Sequence, residues 1–91
     1  MDGMIDLAGI MGKMGGNKAI EPVYQKLGQN IARMREGRGM SQLEVAQKCG
    51  MGSSTVAEIE TGKTRILLSD VEKIAAALGT EPKMLMQGIW F

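Results

Sequence analysis

The chain has 91 residues, 44% hydrophobic and 23% charged, with a formal net charge of +1. This suits one small domain with a modest core and argues against a highly charged disordered tail. There is no His and only one Cys, which removes the commonest general base and metal ligand and excludes an internal disulfide or a cysteine zinc site. No metal and no cofactor is therefore expected, and enzyme chemistry is disfavoured. No apolar run approaches the roughly 20 residues of a membrane span. Met1-Asp2-Gly3 lacks the basic start of a signal peptide. The expected location is cytoplasmic, with no membrane partner.

Composition changes near residue 21, dividing the chain into a Met- and Gly-rich extension, 1–20, and a domain, 21–91. In the extension Met4, Leu7, Ala8, Met11 and Met14 fall at helical spacing. Asp2 is a candidate cap and Gly15-Gly16 a candidate stop. Each interior Gly costs about 1 kcal/mol against Ala, so the segment reads as a weak helix that needs a surface, or as an arm. From Glu21 the signals sharpen. Pro22 suits a first helical turn. Val23, Leu27, Ile31 and Met34 make an apolar stripe that ends at Gly37-Arg38-Gly39. Ser41-Gln42-Leu43-Glu44 is a capping box, with Met40 and Val45 as its hydrophobic staple, so a helix starts at Gln42 and stops at Gly50. Another helix follows at once, with Gly52 as cap, Met51 and Val56 as staple, and Gly62 as stop. Val56 and Ile59 face inward; Ser53, Ser54, Ala57, Glu58 and Thr61 lie on the other face. Lys63-Thr64-Arg65 is a basic loop. Ser69-Asp70-Val71-Glu72 reads as a further capping box, opening a helix with Val71, Ile74, Ala75 and Leu78 inside and Gly79 as its end. Thr80-Glu81-Pro82 opens a last short helix carrying Met84 and Leu85. No strand pattern or repeat appears.

The informative piece is the pair of short helices joined at Gly50. The spacing from Ser41 to Gly62 is that of a helix-turn-helix. The first helix packs across the second, whose exposed N-terminal end can enter a major groove about 12 Å wide.

Residues 27–86 resemble the Cro/C1 family of phage repressors and small bacterial regulators. The resemblance is carried by Leu27-Gly28-Gln29-Asn30-Ile31, Arg35, Ser41-Gln42-Leu43-Glu44-Val45-Ala46, Gly50-Met51, Ser54-Thr55-Val56, Ile59-Glu60-Thr61-Gly62-Lys63 and Ile74-Ala75-Ala76-Ala77-Leu78-Gly79. It implies an all-α, five-helix lambda-repressor-like domain, here with an extra N-terminal helix or arm. It implies that Gln42 binds a phosphate and braces the reading helix. It also implies that Ser53, Ser54, Thr55 and Glu58 face bases or backbone, that Lys63 contacts backbone, and that Arg35 and Glu60 form an internal ion pair. Arg65, in the same basic loop, is expected beside Lys63 on the phosphates. The chain departs from the family pattern in three places. The reading face has no Arg, Asn or Gln, Gly52 stands where Ser or Thr is usual, and Cys49 stands where Leu is usual.

Arg33, Arg35, Arg38, Lys48, Lys63 and Arg65 are expected either to form a basic face or to belong to a mixed solvated surface. Cys49 and most of the nine Met read as core filler. The apolar end Ile89-Trp90-Phe91 either folds back on its own core or meets another subunit. The expected function is a homodimeric DNA-binding transcriptional regulator, a repressor on a palindromic operator in double-stranded DNA. The competing reading is a protein-interaction module, antirepressor-like, that keeps the fold without an operator.

Overall fold

The computed structural model describes residues 20–89. They form five helices: α1 (Ile20–Gly37), α2 (Gln42–Cys49), α3 (Ser53–Glu60), α4 (Leu68–Leu78) and α5 (Pro82–Leu85). The all-α, five-helix expectation holds. The N-terminal stripe from Met4 to Met14 lies outside the described residues, as do Trp90 and Phe91.

One stripe of each helix is apolar, and these stripes meet in a single core. Tyr24, Leu27 and Ile31 of α1, Val45 and Ala46 of α2, Val56 and Ile59 of α3, and Val71, Ile74, Ala75 and Leu78 of α4 are all buried. Ile66 plugs the core from the α3–α4 loop, and Leu85 and Met86 close it from below. Met34 and Val23 of the predicted α1 stripe are half-buried, while Tyr24 takes the deeper position. Cys49 is half-buried against the core, and burial pushes its thiol pKa up.

One prediction is corrected at α4. The helix starts at Leu68, not after Ser69, with Leu67 as its N-cap. The reaching side chain is Asp70, whose carboxylate accepts from the Leu67 amide at 3.4 Å. Leu67 has no side-chain acceptor to return the bond, so the reciprocal half of a capping box is missing.

Two tertiary contacts fix α1. Buried Asn30 donates from Nδ2 to the carbonyls of both Leu85 and Gln87, each at 2.8 Å, and so ties the end of α5 to α1. Gly28 lies where α1 crosses α3. A Cβ there would stand 2.3 Å from the Ile59 carbonyl oxygen and 2.7 Å from that of Glu60. Backbone, not a flexible side chain, blocks the space. Gly28→Ala is therefore expected to destabilise by about 1–3 kcal/mol through overpacking. Thermal unfolding followed by circular dichroism checks this; an unchanged midpoint would show that the two helices can separate at no cost.

Candidate nucleic-acid interface

The site begins with α2. Ser41 is extended, and its Oγ accepts from the Glu44 amide at 3.0 Å. Glu44 Oε1 accepts from the Ser41 amide at 2.9 Å, so the predicted capping box is complete. At the other end Gly50 adopts φ +72°, a left-handed conformation that costs a residue without Cβ little. The amides of Gly50 and Met51 then donate to the carbonyls of Gln47 and Ala46. The chain turns at once, and Gly52 caps α3 with backbone alone.

The phase of α3 decides what it displays. Val56, Ile59 and Glu60 face inward and are buried. Ser53, Ser54, Thr55 and Glu58 are exposed, and Ala57 is half-buried. The structure thus brings the four predicted reading residues onto one outward face. Thr61, on the same side, is occupied internally: its Oγ1 donates to the carbonyls of Ala57 at 3.0 Å and Glu58 at 3.2 Å. Lys63 and Arg65 are exposed just beyond α3, at an open concavity of about 440 Å³ whose floor includes Tyr24, Gln25 and Thr64. Gln25 and Thr64 escaped the sequence reading because they lie 39 residues apart and share no local motif.

Behind the outward face of α3 sits a charge cluster. Arg35 donates from Nε to Glu60 Oε2 at 2.6 Å and from Nη2 to Oε1 at 3.1 Å. Its Nη1 donates to the Met40 carbonyl at 2.8 Å. The two side chains are 12% and 5% exposed, so this is an almost dry bidentate pair. The bonds to Glu60 hold the Arg35 guanidinium above its ordinary pKa, against the opposing effect of burial. Gln42 joins the same carboxylate, with Nε2 donating to Glu60 Oε1 at 2.9 Å. Half-buried Gln42 thus links the start of α2 to the end of α3.

The cations divide between two faces. Lys63 and Arg65 flank α3, Arg35 is consumed by Glu60, and Arg33 and Arg38 line a different groove, between α1 and α5. The single basic face considered from the sequence is therefore not formed by all six. Among the described residues, no three His, Cys, Asp or Glu side chains are placed to hold a metal. No helix there is long and apolar enough to cross a membrane.

Two short helices set at a tight glycine turn, the second one exposed along its polar face, define a helix-turn-helix protein. Residues 31–85 match the helix-turn-helix family HTH_3, and the chain belongs to that Cro/C1-type family. It is 38% identical over 60 residues to a "hypothetical transcription factor" of Neisseria meningitidis serogroup B, covering 66% of this chain and 57% of that protein. It is 35% identical over 60 residues to control protein C.BamHI of Bacillus amyloliquefaciens, covering 65% of this chain and 74% of that protein. Among solved structures, the restriction-modification controller C.AhdI of Aeromonas hydrophila superposes with a TM-score of 0.67 at 34% identity, over 68% of this chain and 94% of that one. The chain thus spans little more than half of the first relative, and most or nearly all of the two controllers.

The capping box gives the site an acid sensitivity. Glu44 is held below the usual carboxylate pKa, first by the bond from the Ser41 backbone amide. A carboxylate depressed by folding stabilises above its unfolded pKa, and that contribution fades as pH falls through the folded value. Glu44→Gln is accordingly expected to lower stability at neutral pH and to match the parent once the pH falls below the depressed folded value of Glu44. Urea melts at two pH values check this; a difference that persists in acid would remove the charge from the explanation.

Proposed function

We propose that the protein is a cytoplasmic DNA-binding transcriptional regulator, acting as a repressor through a homodimer on a palindromic operator, and that it is not an enzyme. The observation that carries this reading is the two-sidedness of α3. Its inner face is locked to α1 and α2, and its outer face offers Ser53, Ser54, Thr55 and Glu58 to solvent. In a major groove these four would lie against base edges and phosphates, with Glu58 placed to accept from a cytosine amine. Lys63 and Arg65 flank the groove at the height of the phosphates, and Gln42 contacts the opposite backbone through what its bond to Glu60 leaves available. The relatives named as a transcription factor and as controller proteins support the same role.

The alternative, an interaction module without an operator, draws on the hydroxyl-rich reading face, which discriminates bases less sharply than bidentate Arg, Asn or Gln. Salt separates the two readings. Binding of DNA from the protein's own upstream region, followed by mobility shift, should fall linearly in log affinity against log salt. Lys63→Ala should weaken it similarly on every sequence and flatten that slope by about 1, whereas Glu58→Gln should change preference at one operator position by about 1–3 kcal/mol. Affinity independent of salt, or absent at low salt, would favour the interaction module.

The dimer is placed in the C-terminal third. One helix-turn-helix reads too few base pairs to be selective among ~10⁶–10⁹ competing sites, and a two-fold doubles the site with reading helices about 34 Å apart. The proposed seam is Ile89, Trp90 and Phe91. Ile89, the last described residue of this stretch, is half-buried against the chain's own core. Removing residues 88–91 should give a folded monomer with much weaker operator binding. A truncated protein that still sediments as a dimer would move the seam elsewhere, with residues 3–14 the first alternative.

A further inference from the structure

One glycine at the end of α3 answers to two constraints. The helix closes in a paired turn: the Gly62 amide donates to the Ile59 carbonyl at 3.1 Å, and the Lys63 amide donates to the Glu58 carbonyl at 3.0 Å. Such a pair of bonds needs a left-handed residue just past the helix, and Gly62 has φ +72°. The same residue faces α1. A Cβ on Gly62 would stand 2.8 Å from both Cα and Cγ of Gln25 and 3.0 Å from its amide nitrogen. Conformation and close approach therefore both demand glycine. The loop that carries Lys63, Thr64 and Arg65 rests on α1 at Gln25 and leaves α3 in one direction.

That contact brings Gln25 into the open concavity of about 440 Å³ beyond α3. Gln25, Lys63 and Arg65 are exposed around it, Thr64 is half-buried between the two cations, and Tyr24 is buried beneath. The Thr61 hydroxyl also borders it but is spent on the carbonyls of Ala57 and Glu58. Among the described residues, no carboxylate lines it. Its donors come from two elements distant in the chain: two cations from the α3–α4 loop, and from α1 a neutral carboxamide with two N–H groups.

We propose that Gln25 is a phosphate-contacting residue, its side-chain amide donating to one backbone phosphate of double-stranded DNA that Lys63 and Arg65 approach from the facing loop. This assignment rests on the DNA-binding reading above. The occupant is a phosphodiester because the concavity is open and lies at the end of the helix proposed to enter the major groove, where the bordering backbone runs. A contact of this kind fixes the position of α1 against the duplex and carries no sequence information. It differs in kind from the contacts of Lys63 and Arg65. A cation on a phosphate releases a counterion and steepens the salt dependence, whereas a neutral amide releases none. The protein thus combines a salt-sensitive and a salt-insensitive hold on the backbone, which suits a chain whose net charge is only +1.

The test is a mobility shift at several salt concentrations, on DNA from the protein's own upstream region and on a scrambled duplex of the same length. Gln25→Ala should weaken binding about tenfold on both duplexes and leave the slope of log affinity against log salt unchanged. Gln25→Lys should restore affinity at low salt and steepen that slope by about 0.9. Both variants should melt with the parent, because Gln25 is exposed. A parent that binds while Gln25→Ala matches it, or a loss confined to one duplex, would overturn the assignment and leave the regulator reading in place. A parent that binds neither duplex at any salt would overturn that reading and this assignment with it. The side-chain amide resonance of Gln25 gives a direct readout and should move when the duplex is added. Movement with inorganic phosphate at equal ionic strength, and none with the duplex, would overturn the proposal in favour of a free-phosphate site.

Discussion

The carboxylate of Glu60 is the point at which three helices are held in register. Arg35 reaches it from α1 with two nitrogens, Gln42 reaches it from α2, and Glu60 itself ends α3. On the other side of the same turn, the carbonyls of Ile59 and Glu60 rest on Gly28, too close for any other residue. The end of α3 is thus gripped between a backbone surface and an almost dry ion pair. Desolvating two charges is expensive, and an ion pair of this kind need not add net stability over an apolar substitute. What it supplies is direction. A bidentate fork accepts a carboxylate in few orientations, so α3 cannot roll about its axis without breaking it.

The consequences for recognition follow from that fixed roll. Val56 and Ile59 are committed to the core, and Ser53, Ser54, Thr55 and Glu58 are committed to the outside. A face of three hydroxyls and one carboxylate makes modest demands on base identity. On the proposed function, such a face would rely on phosphate contacts for affinity, with Lys63 and Arg65 the nearest cations, and on a second subunit for selectivity. The near-neutral net charge of +1 leaves room for local basic surface: Lys63 and Arg65 lie together at the end of α3, and Arg33 and Arg38 lie between α1 and α5.

Much of the fold was legible where local chemistry decides it. The Ser41–Glu44 box, the left-handed Gly50 and the Pro after Glu81 each set a helix boundary with groups a few residues apart. The Ser69 box misled because Asp70, three residues after Leu67, caps an earlier start in place of Glu72 reaching back to Ser69, and buried Ile66 fixes the chain just ahead of it. The site was legible as a face but not as a network. Ser53 to Glu58 could be placed by helical phase, whereas the bond from Gln42 to Glu60 joins residues 18 apart and depends on the angle between two helices. Arg33, Arg35 and Arg38 look like one cluster in the sequence. At 100° per residue, Arg33 and Arg35 point to nearly opposite sides, and only Arg35 meets Glu60. Asn30 sits in a polar-looking gap of the apolar stripe, and nothing local reveals that it is buried to hold the carbonyls of Leu85 and Gln87.

The central claim is that the Arg35–Glu60 pair serves the orientation of α3 more than the stability of the domain. A four-member cycle tests it: the parent, Arg35→Met, Glu60→Leu and the double variant, each measured by denaturant unfolding and by DNA affinity at one salt concentration. Each single variant leaves one charge buried without its partner and should lose about 3–5 kcal/mol, whereas the double variant should recover most of that loss. DNA affinity should not recover with it; at least a tenfold deficit, about 1.4 kcal/mol, is expected in a stably folded double variant. A double variant that is stable and binds DNA as the parent does would contradict the account.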